Sequence, residues 1–177
     1  TARPFCTLLL AALFALLASH SRADIWVIDV QGAIGPATAD HMVRGLEQAQ
    51  ESGAELVILL IDTPGGLDLA MREMIKSILA ASVPLVGYVA PSGARAASAG
   101  TYLLYATHIA AMAPGTNLGA ATPVQIGGMP ELPSTQPGGE EGGAAQPGSA
   151  MEHKIVNDAV AYIQSLAQLR GRNAEWA

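Results

Sequence analysis

Cysteine, lysine and positive charge are all scarce in this chain, and each scarcity removes a class of function. Its one cysteine, Cys6, lies in an apolar run near the start, so the rest has no disulfide and no thiol nucleophile. Nine Lys and Arg stand against fifteen Asp and Glu, a formal charge of −6 with no basic patch, which argues against nucleic acid as a partner. No apolar run reaches the roughly 20 residues that a spanning helix needs. The longest, residues 5–18, follows Arg3 and is followed by Ser19-His20-Ser21-Arg22-Ala23. A basic start, a short apolar stretch and Ser21-Arg22-Ala23 as a small-x-small cleavage site predict a secretory signal peptide over residues 1–23. An uncleaved anchor is the alternative reading. Cys6 sits too early in the run to be a lipid-anchor cysteine. Cleavage would take Cys6, Arg3 and Arg22 with it and leave an exported, extracytoplasmic or periplasmic domain of formal charge −8.

What remains alternates between apolar runs and amphipathic stretches. Residues 25–30 and 84–89 read as strands, and residues 56–61 (LVILLI) are continuously apolar, as in a parallel strand covered on both faces. Between them, a helix capped by Thr38 places Met42, Val43, Leu46 and Ala49 on one face and ends at Ser52-Gly53. A second helix over 67–81 carries Met71, Met74, Ile75, Ile78 and Leu79. A helix over 99–106 and a strand over 109–113 follow. This order predicts βαβ crossovers and an α/β domain with a mostly parallel sheet, over residues 24–177. Residues 123–150 differ in kind: 12 of the 28 are Gly or Pro. They predict a flexible loop, either an inert insertion or a lid. Residues 151–169 form a further amphipathic helix with Ile155, Val156, Ala159, Val160, Ile163, Leu166 and Ala167 as its stripe. Gly171 stops it, and Asn173 reads as the cap of another turn. A chain ending one turn into a helix reads as a fragment.

Ligands of parallel sheets bind at the carboxyl ends of strands. Two features lie just past such ends: Gly65-Gly66 after the second strand, and Ser98 where a strand hands over to a helix. Ser98 has two readings, a plain N-cap or a nucleophile whose oxyanion is held by neighbouring amides. The glycine pair is a simple turn, or a backbone that a ligand can approach closely. A catalytic serine needs a base, and the histidines fit poorly. His20 leaves with the signal, His41 falls on a polar helix face, and His108 enters a strand. His153 opens the last helix. There are two lysines. Lys76 stands beside Arg72 and Glu73 on a solvated face. Lys154 lies in the first turn of the last helix, where a cation opposes the dipole; buried in an assembled site, it would suit a base that must offer a neutral amine. Spacing alone leaves Lys154 open between catalytic and incidental.

Residues 56–67 (LVILLIDTPGGL), 97–102 (ASAGTY), 109–123 (IAAMAPGTNLGAATP) and 154–174 (KIVNDAVAYIQSLAQLRGRNA) together resemble the ClpP-class serine protease domain of NfeD-type membrane proteins. The resemblance runs from about residue 25 to 177, and it implies a ClpP/crotonase-like fold that is truncated at the C-terminus. It further implies a Ser98–Lys154 dyad, oxyanion donors at the backbone of Gly66 and Ala99 beside Gly65, and neither cofactor nor metal. It also implies apolar polypeptide substrates, stomatin-like membrane partners, assembly into homo-oligomers, and membrane anchoring by later segments. Two alternatives accompany it: a non-catalytic scaffold of the same fold that binds the membrane partner, and a crotonase-type acyl-thioester enzyme. No acidic pair is placed for the latter.

Overall fold

A computed structural model describes residues 24–122 and 150–177, with side chains from 153 in the second span. The predicted signal peptide and the Gly/Pro-rich loop lie outside these residues. The described chain is an α/β fold. Strands β1 (Ile25–Gln31), β2 (Leu56–Asp62), β3 (Leu85–Val89) and β5 (Ile109–Met112) form one sheet in the order β1-β2-β3-β5. Every pairing in it is parallel, in registers such as Ile28 with Leu59 and Leu59 with Gly87. Two short strands, β4 (Arg95–Ala97) and β6 (Asn117–Gly119), make a separate parallel pair above its carboxyl edge. Helices α1 (Pro36–Glu51), α2 (Asp68–Ala80), α3 (Ala99–Ala106) and α4 (Ala150–Leu169) complete it.

The order β1-β2-β3-β5 advances in one direction across the sheet. Right-handed crossovers therefore put their helices on one face. The side chains that point to that face form the core: Ile28 and Val30, Val57, Leu59 and Ile61, Leu85 and Val89. Against them pack Met42 and Leu46 of α1, Met74, Ile75 and Ile78 of α2, and Leu103 of α3, all fully buried. The opposite face is different. Ile25, Val27 and Ile109 are exposed, and Ile58, Leu60, Val86 and Tyr88 are half-buried. The expectation that β2 is covered on both faces is thus corrected: its apolar run alternates between buried and half-buried positions. A continuous apolar run does not by itself say that both faces are occupied.

Helix starts also differ from the reading of the caps. The cap of α1 is Gly35 with Pro36 in its first turn, and the Thr38 hydroxyl donates to Ala33 O at 3.1 Å instead of capping. Proline's fixed φ and missing N–H suit the first turn, and the cap moves from Thr38 to Gly35, three residues earlier. Leu79, placed on the apolar stripe of α2, is 41% exposed. Asn173 does cap: its Oδ1 accepts the N–H groups of Glu175 and Trp176 at 2.9 and 3.1 Å, in a turn.

The far end of α4 is tied to α3 by two guanidinium groups. The carbonyls of a helix's last turn have no partners within the helix. Here Arg170 Nε donates to Ala106 O at 2.8 Å, and Arg172 donates to the carbonyls of Tyr105 and Thr107. Cations at a C-terminus also complement the helix dipole. Among the described residues no helix is long and apolar enough to cross a membrane.

Candidate active site

Ser98 stands between β4 and α3 in a backbone conformation that side chains seldom adopt, φ 51° and ψ −119°. Holding a non-glycine residue there costs on the order of 1–3 kcal/mol. It persists because the neighbours over-determine it. The Ser98 N–H donates to Gly119 O at 2.8 Å, the Ser98 carbonyl accepts from Thr101 N–H at 2.9 Å, and Ala97 N–H donates to Thr63 O at 3.1 Å. Thr101 closes the ring of contacts: its hydroxyl donates to Ala96 O at 2.8 Å and accepts from Gly119 N–H at 3.1 Å. The reading of Ser98 as an ordinary N-cap is corrected here, because its side chain makes no capping hydrogen bond. A sharp strand-to-helix turn of this kind presents a hydroxyl outward, as nucleophile elbows do.

The glycine pair explains how the two strand ends meet. A Cβ on Gly65, whose φ is +103°, would lie 2.5 Å from Ser98 Cβ. A Cβ on Gly66 would lie 2.0 Å from Ile34 O. Only glycine lets the 63–67 segment run between Ile34 and Ser98. The segment is zipped to Ile34 by Ile34 N–H to Gly65 O (2.8 Å) and Leu67 N–H to Ile34 O (2.9 Å). Beneath it, the buried Thr63 hydroxyl donates to Gly32 O at 2.6 Å and accepts from Gly65 N–H at 3.0 Å. Gly65 therefore spends its N–H internally. The N–H groups of Gly66 and Ala99 differ: among the described residues neither has an acceptor.

These elements wall one open pocket of about 890 Å³, and Gly66, Ser98, Ala99 and Lys154 all line it. Met71, Tyr102, Ile155 and Ala159 give it an apolar floor. A smaller neighbouring hollow of about 320 Å³ shares Tyr102, Ala121 and Ala159 and adds Val156, Val160 and Trp176. Val156 and Val160, read as part of the buried stripe of α4, are 38% and 44% exposed along it. Among the described residues Lys154 stands exposed at the pocket's edge; the sequence reading has it buried in an assembled site. His153 and Lys76 are exposed and do not line the pocket, and His41 lies in a separate surface groove. Among the described residues no group of three or more His, Cys, Asp or Glu side chains is placed to hold a metal ion.

One cluster escaped the sequence reading. Arg72, grouped there with solvated neighbours, donates from Nε to Asp68 at 2.8 Å and from Nη2 to Asp158 of α4 at 2.6 Å. Its guanidinium carbon lies 4.5 Å from the ring centroid of Tyr162, which stacks on Tyr102 at 6.0 Å. Burial pulls the Arg72 pKa down, but the two carboxylates outweigh it and the net shift is upward. Burial is the first cause that raises both tyrosines. The signals present in sequence were Asp68 four residues before Arg72 and Asp158 four residues after Lys154.

Residues 24–131 match the family described as NfeD1b, N-terminal domain. The chain is 40% identical over 152 residues to the membrane-bound protease PH1510 of Pyrococcus horikoshii, covering 85% of this chain and 31% of that protein. It is 37% identical over 107 residues to membrane protein NfeD1b of Bacillus subtilis, covering 60% of this chain and 24% of that protein. The chain thus spans about a third or less of these relatives. Among solved structures, it resembles a serine-to-alanine variant of the 1510-N membrane-bound stomatin-specific protease (TM-score 0.70, 37% identity, 88% of this chain and 68% of that one). It also resembles a lysine-to-alanine variant of that protease in complex with a substrate peptide (TM-score 0.71, 38% identity, 88% and 64%). The fold is accordingly ClpP-like.

Proposed function

We propose, on the premise that the chain belongs to the NfeD1b N-terminal-domain family, that it is the protease domain of an exported, membrane-associated serine endopeptidase. In this reading Ser98 and Lys154 act as a dyad on apolar segments of polypeptides. The observation that carries it is the single pocket lined by Ser98, Lys154 and the amides of Gly66 and Ala99. Relatives named as a membrane-bound protease and as a stomatin-specific protease support the reaction class and suggest a stomatin-like membrane protein as partner. The apolar floor suits apolar side chains. Removal of residues 1–23 as a signal peptide, and assembly as a homo-oligomer, belong to the same proposal.

The chemistry follows from the groups present. The Lys154 amine takes the Ser98 hydroxyl proton as Oγ attacks the peptide carbonyl carbon. The oxyanion accepts hydrogen bonds from the Gly66 and Ala99 N–H groups, whose directions are fixed before substrate arrives. The C–N bond then breaks, and the leaving amine takes the proton back from Lys154. Water, giving a proton to the Lys154 amine, attacks the Ser98 ester; the C–Oγ bond breaks, Oγ takes that proton back from Lys154, and the second product leaves.

Ser98→Ala and Lys154→Ala, made in the full-length protein, should each abolish cleavage of an apolar peptide, and a fluorophosphonate should label the wild type at Ser98. An unlabelled wild type would point to the scaffold that binds the partner without cutting it. Wild-type turnover in either variant would sink the dyad.

A further inference from the structure

Lys154 and Ser98 are each tied, one helical turn away, to the same side chain on a third helix. On α4, Lys154 and Asp158 are four residues apart and so share a face. On α3, Tyr102 lies four residues after Ser98. Arg72 of α2 joins the two: it bonds Asp158 at 2.6 Å and lies over Tyr162, which stacks on Tyr102. Asp158 and Tyr162 are successive turns of α4, so Arg72 grips that helix at two levels. Tyr102 adds a weak bond of its own, its hydroxyl 3.4 Å from Ala159 O. Asp68 holds the guanidinium from the other side at 2.8 Å.

We infer that Arg72 is a positioning residue for the dyad: it fixes the height and rotation of α4 so that Lys154 stays over the mouth of the pocket that Ser98 faces. Among the described residues, Arg72–Asp158 is the one ion pair that reaches α4 from another helix. Among the described side chains of α4, the buried ones, Ala159, Ile163, Leu166 and Ala167, all lie beyond its first turns. Arg72 and Asp158 side chains are 31% and 66% exposed. Such pairs contribute little to global stability. Their geometric effect on a reaction is larger, since a misplacement of about 1 Å can cost about a hundredfold in rate. The inference rests on the dyad reading; Arg72 itself lines the pocket, and the role inferred for it is to act through α4 on Lys154, not on the reacting atoms.

The test uses the full-length protein. Arg72→Met keeps an unbranched apolar stem but removes both ion pairs and the cation over Tyr162. It should lower kcat about ten- to a hundredfold, with KM within twofold and the unfolding temperature within about 4 °C. Fluorophosphonate labelling of Ser98 should slow in parallel. Arg72→Lys, which retains a cation for Asp158, should recover most of kcat. Wild-type kcat in Arg72→Met overturns the inference and leaves the dyad standing. A loss that Arg72→Lys does not recover, with a large fall in unfolding temperature, also overturns it, since the role is then structural. A wild type that neither cleaves nor labels removes the dyad, and this inference with it.

Discussion

Ser98 and Lys154 face one pocket from helices that are held in different ways. All eight residues of α3 are buried, and the turn before it is locked by hydrogen bonds from β6, from Thr63 and from within its own first turn. Among the described side chains of α4 the first buried one is Ala159, while Lys154, Val156 and Val160 lie open. The Ser98 wall is over-determined and strained; the Lys154 wall is fastened at two ends, by Arg72 and the Tyr102 hydroxyl near the pocket and by Arg170 with Arg172 at the far end. Under the proposed mechanism, the rigid edge would keep its oxyanion donors aimed before substrate arrives, whereas a movable base would adjust to what fills the pocket.

The sharpest way to break this contrast is to disturb the rigid wall. Gly66→Ala places a Cβ 2.0 Å from Ile34 O, so the 63–67 segment must move. Movement breaks the Ile34 hydrogen bonds and turns the Gly66 N–H away from the oxyanion. Loss of one such donor costs about 3 kcal/mol, so labelling of Ser98 should fall more than about a hundredfold. The backbone clash should also lower stability by about 1–3 kcal/mol, read by urea unfolding. Labelling at the wild-type rate would show that this edge is neither rigid nor part of the site.

How much of this was legible beforehand depends on whether a feature is written locally. The four sheet strands are apolar runs bounded by turn residues, and α1, α2 and α4 carry clear helical periods, so all were readable. The strands β4 and β6 were not, because three residues such as Arg95–Ala97 carry no period and their pairing is non-local. Ser98 and Lys154 were named as candidates, helped by four motifs that resemble a known family. The strained φ at Ser98 was invisible, since it is imposed by Thr63, Gly119 and Thr101 from other parts of the chain. Arg72 was misjudged for the same reason. Its helix alone puts it beside Glu73 and Lys76 on a polar face, and only the contact with Asp158, 86 residues on, shows its task.

A second test separates the two fastenings of α4. Arg172 is half-buried, with a pKa lowered by burial and by Arg170, and it satisfies the Tyr105 and Thr107 carbonyls. Hydrogen bonds from charged groups contribute about 1.5–3 kcal/mol each way. Arg172→Met should therefore cost about 1.5–3 kcal/mol of stability, measured by denaturant unfolding, while Ser98 labelling stays within about threefold. This is the mirror image of Arg72→Met, which should touch catalysis and spare stability. If Arg172→Met instead slowed labelling as much as Arg72→Met, the two fastenings would not be separate.

The smallest expected effect lies at the same far end and depends on pH. His108 Nδ1 accepts the Leu85 N–H at 3.2 Å, which requires that nitrogen to be unprotonated. Burial first, then the positive charges of Arg170 and Arg172, lower the His108 pKa below its usual value. The folded state therefore binds a proton less readily than the unfolded chain, whose histidine titrates near about 6.5. The resulting stabilisation is fully present above that value and is lost as pH falls through it toward the folded pKa. Protonation would add a third positive charge beside the two arginines and remove the acceptor for Leu85. Because the ring is largely exposed, solvent screening keeps the effect small. His108→Gln should flatten the fall in unfolding temperature between about pH 7.5 and 5.5 relative to wild type, with Ser98 labelling at neutral pH unchanged. Parallel pH curves for the two proteins would show that the far fastening does not sense His108, and a steeper curve for the variant would reverse the sign of the argument.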